Sequence, residues 1–148
     1  MLKCLSCGKQ YQSTDSKYYC KNCCCMISYY DAHNALMNKN PLVLIVENAR
    51  LFAKYIGDNL SEAGFETIYA FNSRQALAMV RTCNPTLILV DLQILKRNGF
   101  FVLEYVKKSL EYRHIPILIM SGMHLTSFDI EQLHNLGADG LVLKKNIH

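Results

Sequence analysis

The 148-residue sequence has no apolar run approaching the roughly 18 residues that span a bilayer, and its start lacks the charged-then-apolar pattern of a secretory signal. A soluble, cytoplasmic protein with no membrane partner is the expectation. The five His, at 33, 114, 124, 134 and 148, include no pair at metal-ligand spacing on a common face, and they read as surface residues. No repeat or low-complexity segment occurs, and only one Cys, Cys83, lies beyond residue 25. Acidic residues are scarce at the start: residues 1–40 carry five Lys against two acids, whereas 41–148 carry eleven basic and ten acidic groups. The formal excess of +4 therefore sits near the N-terminus. Four metal-bound thiolates and one divalent cation would add about two negative charges and cancel much of it, which disfavours nucleic acid as a partner.

What is there, first of all, is a cluster of thiols. Six of the seven Cys stand in Cys4-Leu-Ser-Cys7-Gly8 and Cys20-Lys-Asn-Cys23-Cys24-Cys25. A segment of this length cannot fold on an apolar core and needs a staple. Each Cys-x-x-Cys pair sets two thiolates on one tight turn, with Gly8 free to take a positive φ. The twelve residues between Cys7 and Cys20 suffice for a short hairpin through positions 9–19. Cys4, Cys7, Cys20 and Cys23 are thus the expected ligands of a structural Zn, although Cys24 and Cys25 leave the fourth ligand ambiguous. Iron in the same site stays open; disulfides are disfavoured in a reducing cytosol, and a redox pair lacks its strand-to-helix setting. Residues 1–25 resemble a zinc ribbon. Residues 26–40 contain no Gly or Pro and space Ile27, Tyr30, Asn34 and Met37 near the helical period, which predicts a helical linker.

From Pro41 short apolar runs alternate with longer amphipathic stretches, the pattern of repeated βα units. Strand-like runs at 42–46, 86–90, 118–120 and 141–143 deliver Glu47 and Asn48, Asp91, Ser121 and Lys144 in turn. Between them the spacing predicts a first helix with a buried stripe of Leu51, Phe52, Tyr55, Ile56, Leu60 and Ala63, closed by Gly64. A strand at 67–70 follows, then a helix capped by Asn72 and Gln75 and stopped by Pro85. A helix at 99–110, a strand at 115–120, a helix at 127–136 closed by Gly137 and a strand at 140–143 complete the series. In an open parallel sheet, ligands collect outside the carboxyl ends of the strands. A carboxylate, a hydroxyl and an ammonium gathered there suggest phosphoryl chemistry.

These residues carry a resemblance. Glu47-Asn48 after the first strand, Asp91-Leu92 closing the third, Asn98-Gly99, Ser121-Gly122, and Gly137-Ala138-Asp139 leading to Lys144 make 41–148 similar to the receiver domains of two-component response regulators. The resemblance implies an α/β fold, a doubly wound five-stranded parallel sheet of flavodoxin-like order. It implies that Asp91 accepts a phosphoryl group from a histidine kinase or phosphotransfer protein, with Lys144 as charge partner and Ser121 as hydrogen-bond donor. Mg²⁺ would be held by Glu47, Asn48, Asp91 and the carbonyl of Gln93. The output would run through protein contacts with a downstream target, and the chain would not be an enzyme beyond catalysing its own phosphorylation and dephosphorylation.

The sequence also departs from that family. Asn48 stands where a second acid is usual, which should weaken Mg²⁺. Leu95 and Lys145 replace prolines, and Leu141 replaces the aromatic switch residue. Only Lys145, Asn146, Ile147 and His148 follow Lys144, so the expected fold lacks its last helix and residues 26–38 are candidates to replace it. Dimerisation stays open, although the family's common dimer face uses that helix. The alternative function is a degenerate receiver that binds partners independently of phosphate, with nucleic-acid contacts through the ribbon as a further option.

Overall fold

The computed structural model describes residues 40–97 and 100–147 continuously, together with the backbone of four short strands near the N-terminus. Of these, β1 (Leu2–Lys3) pairs antiparallel with β2 (Gln10–Tyr11), and β3 (Lys17–Tyr19) with β4 (Met26–Ser28). Positions 9–19 were expected to form one hairpin; their strands instead pair outward, each with a neighbour across a Cys-x-x-Cys segment. Met26–Ser28, expected to begin the helical linker, is a strand, with Ile27 opposite Tyr18, a β-branched and an aromatic residue that both favour pleated backbone. Cys4, Cys7, Cys20, Cys23, Cys24 and Cys25, the Zn site assigned to them, and the rest of the linker to residue 39 lie outside the described residues.

The larger part is a five-stranded parallel sheet in the order β6-β5-β7-β8-β9. In chain order it comprises β5 (Leu42–Val46), α1 (Arg50–Glu62), β6 (Glu66–Ala70), α2 (Ser73–Cys83), β7 (Leu87–Asp91), α3 (Leu92–Arg97), α4 (Phe101–Lys108), β8 (Ile117–Ser121), α5 (Ser127–Asn135) and β9 (Gly140–Leu143). The alternation predicts the repeated βα units, and the strand order is the flavodoxin-like winding that the resemblance implies. Successive side chains on a strand point to opposite faces, so β5 sends Val43 and Ile45 to one core and Leu44 and Val46 to the other. Val43 and Ile45 join Leu89 and Met120 beneath Ala53 and Ile56 of α1. On the other side Ile88, Val90, Ile117 and Ile119 meet Ala76, Val80, Val102, Leu103 and Val106. Burial on both faces is why the central strands read as unbroken apolar runs.

The first helix buries half of its expected stripe: Ile56 is in the core with Phe52 and Leu60 packed against it, whereas Leu51, Tyr55 and Ala63 are exposed. Leu51 is 87% exposed and Tyr55 43%, while Ala53, Ile56 and Gly57 face the sheet. A Cβ on Gly57 would stand 1.8 Å from the Tyr69 hydroxyl oxygen. Close approach at this point of the helix thus requires a residue without a side chain. The helix α3 was not foreseen: Leu92, Ile94 and Leu95 are buried, and Leu95, in place of a proline, keeps a backbone N–H inside the helix. After β9 the chain turns through a 3₁₀ helix (Lys144–Asn146), and Ile147 packs on the α1 side of the sheet. Among the described residues no helix is long and apolar enough to cross a membrane.

Candidate functional site

Parallel pairing aligns the carboxyl ends of β5, β7, β8 and β9, and so brings together the groups that follow them. Val46 is level with Val90, Asp91 with Met120, and Ser121 with Leu143. Glu47, Asp91 and Ser121 are therefore buried, at 1%, 3% and 3% exposure, on the apolar foundation of their own strands. Lys144 enters from the edge. Its Nζ lies 2.5 Å from Glu47 Oε2 and 2.9 Å from Asp91 Oδ1, and 5.0 Å from the centre of the Phe52 ring.

Three of the predicted residues thus form one ionic group. Burial alone would push the Lys144 ammonium down, but its hydrogen bonds to Glu47 and Asp91, with their charges, outweigh it and hold the group above its ordinary 10.5. The second oxygen of Glu47, Oε1, accepts the Ala49 N–H at 3.0 Å. Ser121 is close by in register but turned to its own loop: its hydroxyl donates to the Met123 carbonyl at 2.8 Å and accepts the Met123 N–H at 3.2 Å. Asn48 is exposed, Gln93 is the exposed second residue of α3, and Asn98 and Gly99 lie outside the described residues.

A divalent cation is a poor fit to this donor set. Both oxygens of Glu47 and Oδ1 of Asp91 already have partners. The α-helix that begins at Leu92 commits the Gln93 carbonyl to the N–H four residues on, and Asn48 brings an oxygen without charge. Among the described residues no group of three or more His, Cys, Asp and Glu converges to hold a metal.

Other neighbours escaped the sequence reading. Phe52, expected in the buried stripe, does pack against the α1-side core, and its ring also stands 5.0 Å from the Lys144 ammonium. His124 Nε2 and Lys145 Nζ meet at 3.4 Å beside the site, joining two loops whose proximity only the sheet reveals. Arg50, two residues after Asn48, lies 4.1 Å over the Phe71 ring, a cation–π contact at the mouth of the first βα turn. Leu141 is 37% exposed and lines a shallow hollow of about 160 Å³ with Ile130, Leu133, His134, Ala138 and Asp139.

Comparison with known proteins agrees with this fold. Residues 43–147 match the family described as response regulator receiver domain. The polar-differentiation response regulator DivK of Brucella anthropi is 32% identical over 102 residues, covering 69% of this chain and 82% of that protein. Among solved structures, the chemotaxis response regulator CheY4 of Vibrio cholerae superposes with a TM-score of 0.64 at 26% identity, covering 72% of this chain and 88% of that one. The phosphorylated cyanobacterial phytochrome response regulator RcpA shares the fold, with a TM-score of 0.62 at 22% identity over 71% of this chain and 81% of that chain.

Proposed function

Because this chain belongs to the response regulator receiver domain family, we propose that it is a two-component response regulator whose Asp91 accepts a phosphoryl group and which signals through protein–protein contacts. The donor is a phosphohistidine on a histidine kinase or phosphotransfer protein. The supporting observation is the Lys144 ammonium, 2.9 Å from the buried Asp91 carboxylate. A carboxylate oxygen of Asp91 attacks phosphorus while the P–N bond to the donor imidazole breaks; the imidazole nitrogen keeps the bonding pair, and an acyl phosphate forms on Asp91. Phosphoryl transfer asks chiefly for positioning and charge neutralisation. Lys144 supplies the positive charge by turning from Asp91 Oδ1 to the incoming oxygens, and the Ser121 hydroxyl exchanges the Met123 carbonyl for one of them.

Intact mass after incubation with a small-molecule phosphodonor and Mg²⁺ tests this. The expected result is one added phosphoryl group on the wild-type chain and none on Asp91→Asn. No uptake by wild type, where Asn48→Asp takes one up, sinks the reading. It would leave the second one, a phosphate-independent binding module, which the uncharged Asn48 favours.

For the N-terminal segment we keep a structural Zn on Cys4, Cys7, Cys20 and Cys23, in a cytoplasmic protein whose thiols stay reduced. The strand register supports that choice of ligands. Cys4 and Cys7 follow the last paired residue of β1, Lys3, by one and four positions, and Cys20 and Cys23 follow Tyr19 of β3 by the same offsets. Metal analysis should find one Zn per chain, lost in Cys23→Ser and retained in Cys24→Ser and Cys25→Ser.

A further inference from the structure

We infer that Lys144, rather than a divalent cation, is the resident counter-ion of the Glu47–Asp91 pair, so that the centre is built to work with an internal ammonium. The inference goes beyond the proposed phosphoryl transfer and stands apart from it, because it concerns which cation the unmodified centre holds.

The ammonium is anchored from several directions. Two carboxylates take it at 2.5 and 2.9 Å, the Phe52 ring stands 5.0 Å from it, and its own backbone is fixed by the 3₁₀ turn in which the Ile147 N–H donates to the Lys144 carbonyl at 3.2 Å. Two carboxylates share one ammonium, so the group is formally short of one positive charge. A hard divalent cation demands several oxygen ligands in near-octahedral geometry and sheds water reluctantly. A cation entering here competes with Lys144 for both carboxylates, with the Ala49 N–H for Glu47 Oε1 and with the α3 hydrogen bond for the Gln93 carbonyl. In return Asn48 offers only a neutral oxygen. A carboxylate at position 48, which is exposed, would add the missing charge without disturbing the core.

Mn²⁺ is a suitable probe, because as a hard ion it prefers oxygen to the N-terminal thiolates and the spectrum of the free ion reports binding directly by electron paramagnetic resonance. In the full-length chain we expect wild type to bind Mn²⁺ roughly tenfold or more weakly than Asn48→Asp. Adding Asp91→Asn to Asn48→Asp should abolish the site, which places it at this centre. Lys144→Met, with its fold checked by circular dichroism, should strengthen Mn²⁺ binding relative to wild type by removing the competing cation. Wild-type affinity within about twofold of Asn48→Asp overturns the inference, since the missing charge would then cost nothing. An affinity unchanged by Lys144→Met in a folded chain overturns it as well.

Discussion

Two lysine–aspartate pairs sit at opposite ends of β8, and they are not alike. At the amino end, Asp139 lies 2.7 Å from Lys107 and accepts the Ile117 N–H at 2.8 Å, while Lys107 also donates to the Ile115 and Arg113 carbonyls at 2.8 and 3.4 Å. Charge balances, and the remaining bonds go to fixed backbone. At the carboxyl end one ammonium serves two carboxylates that are almost wholly buried, and the nearby hydroxyl of Ser121 is occupied only by its own turn. The first pair is a closed clasp joining α4 to the starts of β8 and β9. The second leaves one carboxylate charge uncompensated, so its ammonium is shared rather than matched.

The largest effect should come from taking the cation out of the incomplete group. Lys144→Met leaves Glu47 and Asp91 buried without their counter-charge, and breaking a buried pair from one side costs about 3–5 kcal/mol. Urea unfolding of wild type and variant measures it. Asp91→Asn in the same assay should change stability by no more than about 1 kcal/mol, in either direction, because it removes one of two like charges competing for a single ammonium. An Asp91→Asn loss equal to that of Lys144→Met would break the contrast and make this group a structural clasp too.

Much of that centre was legible in the sequence because strand ends are chemically abrupt. An apolar run stopping at Asp91, Ser121 or Lys144 declares both the strand and the edge on which its terminal group emerges. Side-chain aim was not legible. Glu47 and Asn48 are both oxygen-bearing and adjacent, and only the structure shows that Glu47 reaches Lys144 while Asn48 stays exposed. The stripe of α1 was read correctly at Phe52, Ile56 and Leu60 but drawn too wide, because apolar character also favours Leu51 and Tyr55, whereas the close approach to Tyr69 falls on Gly57. Helix α3, at six residues, is too short for periodicity to reveal. The start of α5 at Ser127 was read correctly, but its cap was overlooked: Thr126 and Asp129 have capping-box spacing, and each side chain does take the other's N–H.

A second, smaller effect should appear at the closed clasp. Lys107→Met removes the donor to the Ile115 carbonyl and one partner of Asp139, which remains half exposed and can turn to water. The expected loss is about 1–3 kcal/mol, that of a hydrogen bond removed from a partly buried acceptor. The same substitution should leave phosphoryl uptake by Asp91 at the wild-type level, since the two groups share no partner. Reduced uptake in a fully folded Lys107→Met chain would show that the ends of β8 are coupled.

The smallest effect is a difference in pH response, and it runs in opposite directions at the two ends. Burial tends to raise the Asp139 carboxyl, but the hydrogen bonds from Lys107 and the Ile117 N–H, with the Lys107 charge, carry it below its ordinary 3.8. Its contribution to stability is therefore complete above 3.8 and is lost as pH falls through the lower, folded-state value. Lys144 is shifted upward, so its contribution is complete below 10.5 and is lost as pH rises through the higher folded-state value. Urea unfolding of wild type against Asp139→Asn should show a stability gap that closes on the acid side, and wild type against Lys144→Met a gap that closes on the alkaline side. Asp129 is also lowered, by the Thr126 hydroxyl and N–H, but it is present in both members of each comparison and cancels from the gap. An Asp139→Asn gap that persists unchanged well below 3.8 would mean that the ionised carboxylate contributes nothing to the clasp. The two lysine–aspartate pairs would then differ in location alone.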